Sequence, residues 1–348
     1  PRRSPCGKPP MRLHLLLPLV ALGCSKPESR IVVYCAQDRE FAEGIFADLA
    51  AETKLAVAPK FDTEANKSVS LVAELKEEAA RPRCDVHWNN EILGTIRLAR
   101  AGVYEPYESP SAASFPAWSK AKDRTWQAFA ERGRVLIVNT QLVPEADRPT
   151  SLLDLTNPKW KGKVAMAKPQ FGTTATHAAC LFEVLGPDLA KGFFRGLKEN
   201  DVHVVAGNKQ VATEVAAGRF AVGTTDTDDA IIELKAGKPV AIVFPDSAGH
   251  PVNPRMGTLF LPNTLAVIKG APNPAGARQL VDKLLLPATE TRLAEGGGFQ
   301  FPVNPEATAA MPAGLPARTD VKRMAVDFEK AADLWDESQA FLREEFAR

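Results

Sequence analysis

Between Phe220 and Ala230 the chain reads FAVGTTDTDDA. Six consecutive positions there, Thr224 to Asp229, carry hydroxyls or carboxylates, and three of them are aspartates. The short apolar run Phe220–Ala221–Val222 predicts a buried strand, and Ala230 to Leu234 resumes with helical spacing. A polar turn between strand and helix places its side chains at the carboxyl end of the strand, where open α/β sheets hold ligands. One aspartate suffices to cap a helix. Three mutually repelling carboxylates point further, to a bound cation or ammonium.

A second stretch has the opposite chemistry. Gly172–Thr173–Thr174 stands between a strand and a helix, where free backbone N–H groups, two hydroxyls and the helix dipole favour an oxyanion. Lys67 with Ser68, and Arg134, add positive charge or donors. Further polar residues fall at other expected strand exits: Asp38, Asn90 with Glu91, Asn208 and Thr225. Oxygen ligands from Asp38, Glu91, Asp226 and Asp228 suit a hard cation. His87 and His177 read as packed residues. Asp226–Thr227–Asp228 also resembles the DxD of phosphoryl-transfer enzymes, which leaves a phosphotransferase as a remote alternative. No Ser–His–Asp ordering, HExxH or Walker loop is present, and the expectation is a binding protein with no cofactor.

The elements that must position these residues alternate. Strands are expected at 31–34, 55–61, 85–88, 134–138, 164–167, 202–205 and 220–222, most of them followed by a helix-patterned segment. That pattern predicts an α/β fold with largely parallel sheets. Pro106, Pro110 and Pro116 mark a boundary. Residues 134–138 are expected to cross into a second lobe and 257–268 to cross back. A single C-terminal helix is expected over 328–346. Residues 31–115 and 257–300 then form one lobe, 116–256 the other, and 301–348 a helical appendage.

The chain has 348 residues, a formal net charge of +1 and 45% hydrophobic content, typical of a globular protein. No basic stripe interleaved with aromatics argues for nucleic acid. The first thirty residues read as an export leader: Met11-Arg12, an apolar run from Leu13 to Leu22, then Gly23–Cys24. The Gly23–Cys24 pair is similar to a bacterial lipobox with Cys24 as the lipidated residue, and residues 1–10 read as an upstream extension. Cys35 and Cys84 are expected at opposite ends of neighbouring parallel strands, too far apart to bridge.

From Ile31 to Pro305 the chain resembles the solute-binding proteins of bacterial ABC importers, in their ferric-ion-binding branch. The resemblance is carried by IVVYCAQDREFAEGIF, CDVHWNNEI, RVLIVNT, SLLDLTNPKWKGKVAMAKP with FGTTATHAA, and GTLFLPNTLAVIKGAPNPAGARQLVDKLL. It implies a two-lobed periplasmic-binding-protein (type II) fold, each lobe a mostly parallel sheet flanked by helices, hinged by crossing strands. It also implies a monomeric periplasmic receptor that serves an ABC permease; the lipobox reading adds an anchor through Cys24, and a plain secretory signal with an incidental cysteine stays the alternative. In that branch an acidic residue after the third strand, here Glu91, contacts iron, as does a histidine where this chain has Asp38. The paired tyrosines that complete the site are replaced by the TTDTDD run. Two ligand classes therefore stay open: ferric ion on carboxylates with an anion at Gly172–Thr174, or an organic phosphate or phosphonate bearing an amine or hydroxyls.

Overall fold

The computed structural model describes residues 30–62, 69–310, 312–313 and 315–346. Cys24, Lys67 and Ser68 lie outside the described residues. Strand β1 (Ile31–Cys35) pairs in parallel with β2 (Val57–Phe61) on one side and β3 (Val86–Asn89) on the other. Helix α1 (Arg39–Thr53) follows β1, α2 (Val69–Glu77) follows β2 and α3 (Ile92–Arg100) follows β3. The β1–β3 register sets Cys35 beside Trp88, away from Cys84, and both cysteines are buried and not disulfide-bonded to each other.

Strand β4 (Gln127–Asn139) is buried along all thirteen residues and belongs to two sheets. Its first half, Gln127 to Gly133, pairs antiparallel with β9 (Phe260–Val267), which pairs antiparallel with β3. Its second half, from Arg134, pairs antiparallel with β7 (Val222–Asp226). Strand β7 is parallel to β5 (Val164–Ala167), which is parallel to β6 (His203–Val205), while β8 (Val240–Val243) covers the other edge of β4. The strand expected at 134–138 thus begins seven residues earlier, in the first sheet, and the boundary expected at 116 precedes the end of pairing with that sheet. Register shifts by one residue between Phe129 and Glu131, and Ala130 there has φ of +36°. The Ala130 N–H is held by the Glu290 carboxylate and its carbonyl by Asn263 Nδ2.

Helices α4 (Gly172–Leu185), α5 (Pro187–Glu199), α6 (Asn208–Ala216) and α7 (Thr227–Lys235) flank the second sheet. Helices α8 (Pro274–Leu284) and α9 (Pro287–Glu295) follow β9 and complete the first. The single C-terminal helix expected over 328–346 is two: α10 (Phe328–Asp333) and α11 (Trp335–Glu345). The break at Leu334 lets α10 lie against α3 and α4 while α11 turns onto α4 and α5. Leu342 is fully buried there, and Phe341 meets the ring of Phe182 at 5.9 Å between centroids.

Candidate functional site at the strand exits

Because β1, β3, β5, β6 and β7 are each followed directly by a helix, their exits carry helix N-termini. The N-caps are Asp38 for α1, Glu91 for α3, Phe171 for α4, Gly207 for α6 and Asp226 for α7. Five partial positive charges therefore sit around the gap between the two sheets. A cavity of about 30 Å³ lies there, walled by Asp38, Asn90, Arg132, Lys168, Phe171–Thr173, Gly207–Asn208, Asp226, Asp228 and Asp229. It has room for about one water or a single ion.

Asp226, Asp228 and Asp229 form a cluster in which one carboxylate oxygen from each lies within 4.8 Å of the others. The counter-charge comes from the chain itself. Arg134 stands opposite Asp226 in the β4–β7 ladder and donates from Nη1 to Asp226 Oδ1 at 2.7 Å. The same guanidinium reaches Thr173 Oγ1 (3.2 Å), Asn208 Oδ1 (3.1 Å) and Thr174 Oγ1 (3.3 Å). Thr173 in turn donates to Asp226 Oδ2 at 2.6 Å, and Asn208 Nδ2 donates to the same oxygen at 3.2 Å. Burial pushes the Asp226 carboxyl up, but Arg134 and Arg132 outweigh it and hold the group below the usual carboxylate range. The sequence reading assigns the balancing charge to a bound cation. The structure supplies two buried guanidinium groups before any ligand arrives.

Arg132, two residues earlier on β4, was not legible as a site residue. It is buried, donates from Nη2 to the Asn90 carbonyl at 2.5 Å, and pairs through Nη1 with Asp228 Oδ2 at 3.4 Å. Its Nε has no partner among the described residues. A two-residue step along a strand puts Arg132 and Arg134 on one face, and that periodicity was the signal available. Lys168, exposed at the cavity rim, is a second addition.

The remaining expected residues divide. Asp38 and Asn90 line the cavity with the aspartates and with Gly172 and Thr173. Thr225 sits behind it, donating to the Asn208 carbonyl at 3.0 Å. Glu91 does not line the cavity: its oxygens accept from the Gly94 N–H (2.8 and 3.0 Å), Asn89 Nδ2 (3.3 Å) and Thr176 Oγ1 of α4 (2.8 Å). A Cβ at position 94 would stand 2.2 Å from Glu91 Oε1, so glycine is what lets the carboxylate close on α3. His177 packs against Arg134, whose Nε donates to its Nδ1 at 3.4 Å, leaving the proton on a buried, unpartnered Nε2. Burial, then the Arg134 charge, lowers its pKa to about 3. All three tyrosines are engaged elsewhere: Tyr34 with Glu78, Tyr104 with His87 and Tyr107 with Asp282.

Parallel strands ending in helix N-termini, two sheets sharing crossing strands, and a polar cavity between them characterise a two-lobed α/β binding-protein fold. Residues 96–331 match the family model of bacterial extracellular solute-binding proteins, and the chain belongs to that family. Over 325 residues it is 25% identical to an uncharacterised protein of Haemophilus influenzae, covering 90% of this chain and 88% of that one. Over 190 residues it is 27% identical to the major ferric iron-binding protein of Neisseria meningitidis, covering 53% of this chain and 55% of that protein. The chain thus spans about half the length of that ferric relative. Among solved structures, iron-bound HitA from Pseudomonas aeruginosa superposes with a TM-score of 0.79 at 20% identity, over 91% of this chain and 99% of that one. The periplasmic binding protein AfuA from Actinobacillus pleuropneumoniae, bound to exogenous fructose-6-phosphate, gives 0.79 at 23% identity, over 91% and 98%. At such identities the likeness establishes the two-lobed α/β fold. Among the described residues no helix is long and apolar enough to cross a membrane.

Proposed function

We propose that this chain is the extracytoplasmic receptor of an ABC importer and that its cargo is ferric ion held together with an anion. The observation that carries this reading is the Asp226–Asp228–Asp229 cluster, whose oxygens converge at a cavity sized for an ion. Carboxylate oxygens suit a hard trivalent cation. The α4 N-terminus, the unfilled Arg132 Nε–H and Lys168 stand beside the cluster and suit the accompanying oxyanion. The kinship with a ferric iron-binding protein supports the same reading. Asp38 and Asn90 face the cargo from the first lobe. Lys67 and Ser68, outside the described residues, are proposed to add donors for the anion, and Glu91 to help hold the lobes together. The permease and the Cys24 anchor complete the proposal, with the protein acting as a monomer in the periplasm.

Metal analysis with native mass spectrometry of freshly purified protein tests it, and bound iron with a small anion is the expected result. Ferric affinity should fall at least ~10-fold in Asp228→Asn, which loses one charged oxygen ligand. It should also weaken as pH falls, because protons compete for the carboxylates. Cys24→Ala should release the protein from membranes; retention there would sink the anchor.

A second reading rests on Arg132, which lines the cavity with an unpartnered Nε–H, and on the α4 N-terminus beside it; these suit the phosphate group of an organic phosphate or phosphonate at the cavity without metal. In that case titration of metal-free protein with fructose 6-phosphate or aminoethylphosphonate gives tight binding, and Thr173→Val costs more than Asp228→Asn.

A further inference from the structure

A second cavity, of about 930 Å³, shares no lining residue with the acidic one. One wall is the face of α3 that carries Ile92, Ile96 and Ala99, spaced four and three residues apart. Another is Met324 to Phe328, the chain that leads into α10. Phe260 at the start of β9 and Trp126 just before β4 add to the apolar lining, and so does Trp118, which is 45% exposed. A chamber of this volume with mostly apolar walls and a few polar groups has the form of a small-molecule site.

Every carboxylate in the lining already has a partner. Glu329 pairs with Arg100 at 2.7 Å, and Arg100 also pairs with Asp333. Asp327 caps α10 through the Glu329 and Lys330 N–H groups, and Asp123 accepts from the Thr125 hydroxyl at 2.6 Å. Arg323 is held by the buried Glu131 and lies over the rings of Trp118 and Phe260, 5.4 and 4.7 Å from their centroids. What remains is three donors: the Lys120 and Lys122 ammonium groups and the Trp126 indole N–H bond to no described residue. Trp126 is nine-tenths buried, Lys120 half-buried and Lys122 exposed. A smaller cavity of about 210 Å³ adjoins this one and shares the same three residues; its one carboxylate, Glu108, pairs with Arg124 at 3.2 Å. The polar side of the chamber is thus the Lys120–Trp126 turn, and it offers donors and positive charge.

We propose that this cavity is a second binding site, for a small apolar carboxylate: an aliphatic or aryl acid whose tail lies along Ile92, Ile96, Met324 and Val326 and whose carboxylate meets the Lys120–Trp126 turn. Each half of the ligand answers one half of the lining. A bare anion would leave the apolar walls wet, and a neutral hydrocarbon would leave the indole N–H and the two lysines unmet. An amine or zwitterion would find no carboxylate without a partner. The site goes beyond the receptor reading and does not depend on which cargo the acidic cavity takes.

Decanoate is the probe, titrated by calorimetry into the full chain below its micelle concentration. Wild type should bind one molecule per chain. Octanoate should bind roughly tenfold more weakly, for two fewer buried methylenes. Decanol should bind at least ~10-fold more weakly than decanoate, for the missing charge. Lys122→Glu should lower decanoate affinity at least ~10-fold and leave decanol unchanged. Ala99→Phe, which puts a ring into the cavity from a half-buried position on α3, should weaken decanoate and decanol alike. Lys122 is exposed, so that variant keeps its fold, and circular dichroism verifies both. A wild type that does not bind decanoate overturns the site. So does binding of several molecules per chain, decanol binding as tightly as decanoate, or an unchanged decanoate affinity in Lys122→Glu.

Discussion

Arg134 and Asp226 are the residues on which the site's integrity depends. Both are buried, and each satisfies the other along with Thr173 and Asn208. Taking one partner away leaves an uncompensated buried charge, so Arg134→Met should destabilise by about 3–5 kcal/mol in urea unfolding. Adding Asp226→Leu to it should restore much of the loss, which a purely additive pair would not do. The acid response separates by residue type. His87 and His177 have pKa values lowered to about 3 by burial, against an ordinary value near 6.5. The unfolded chain therefore takes up protons first as pH falls below 6.5, and the stability present above that value is lost progressively towards pH 3. Each histidine contributes a slope of about 1.4 kcal/mol per pH unit in that window. His87→Gln should remove one proton's worth of slope between pH 6 and 4; an unchanged slope would contradict the buried neutral ring. Asp226 acts later: its lowered pKa makes its contribution present above about pH 4 and lost only below it.

At the level of elements, much was legible because local pattern and tertiary role agree. The strand–turn–helix around TTDTDD, the helix opening at Gly172 and the β1–β3 alternation all follow from apolar runs bounded by polar turns. The start of β4 was hidden because Gln127, Glu131 and Arg132 are buried polar residues in a strand with no alternation to reveal them. The break at Leu334 was hidden because a leucine breaks nothing by propensity; α10 packing on α3 and α4 while α11 packs on α4 and α5 decides it. Arg132 escaped with the start of β4, since its two-residue step to Arg134 carries meaning only once both stand on one strand. Glu91 was legible as an acid at a strand exit, but its partner Thr176 lies 85 residues away and no local pattern announces it. That bond ties the β3–α3 turn of the first sheet to a helix on the second. Thr176→Val removes the donor and should favour separation of the lobes, lowering ligand affinity by roughly tenfold through one charge-assisted hydrogen bond. Gly94→Ala should have the same direction and a larger effect, because its Cβ displaces the Glu91 carboxylate.

For the molecule as a whole, two sheets with cavity-lining residues on both sides predict hinge closure on a ligand. Small-angle scattering should show the radius of gyration fall when ferric citrate is added; an unchanged radius at saturation would count against a closing receptor. The C-terminal pair α10–α11 bears on the same motion. It is ion-paired to α3 through Arg100–Glu329 and Arg97–Asp336, and to α5 through Lys191–Glu337 and Lys198–Glu345. Such exposed pairs contribute little stability singly, and together they link a helix of the first sheet to one of the second.

The sharing of β4 between two sheets also governs how this molecule can be taken apart. The stretch between the first pairing with β7, at Arg134, and the return in β9 is continuous, whereas the first sheet needs segments from both sides of it. Severed at those two points, the inner stretch can be made as one polypeptide, but the outer one requires a new covalent junction between residues 133 and 260. Those two residues are neighbours in the β4–β9 ladder, so a short linker joins them without stretching the chain. The receptor is in that sense one domain inserted into another, and rearranging the order of its gene should preserve each half while removing the hinge.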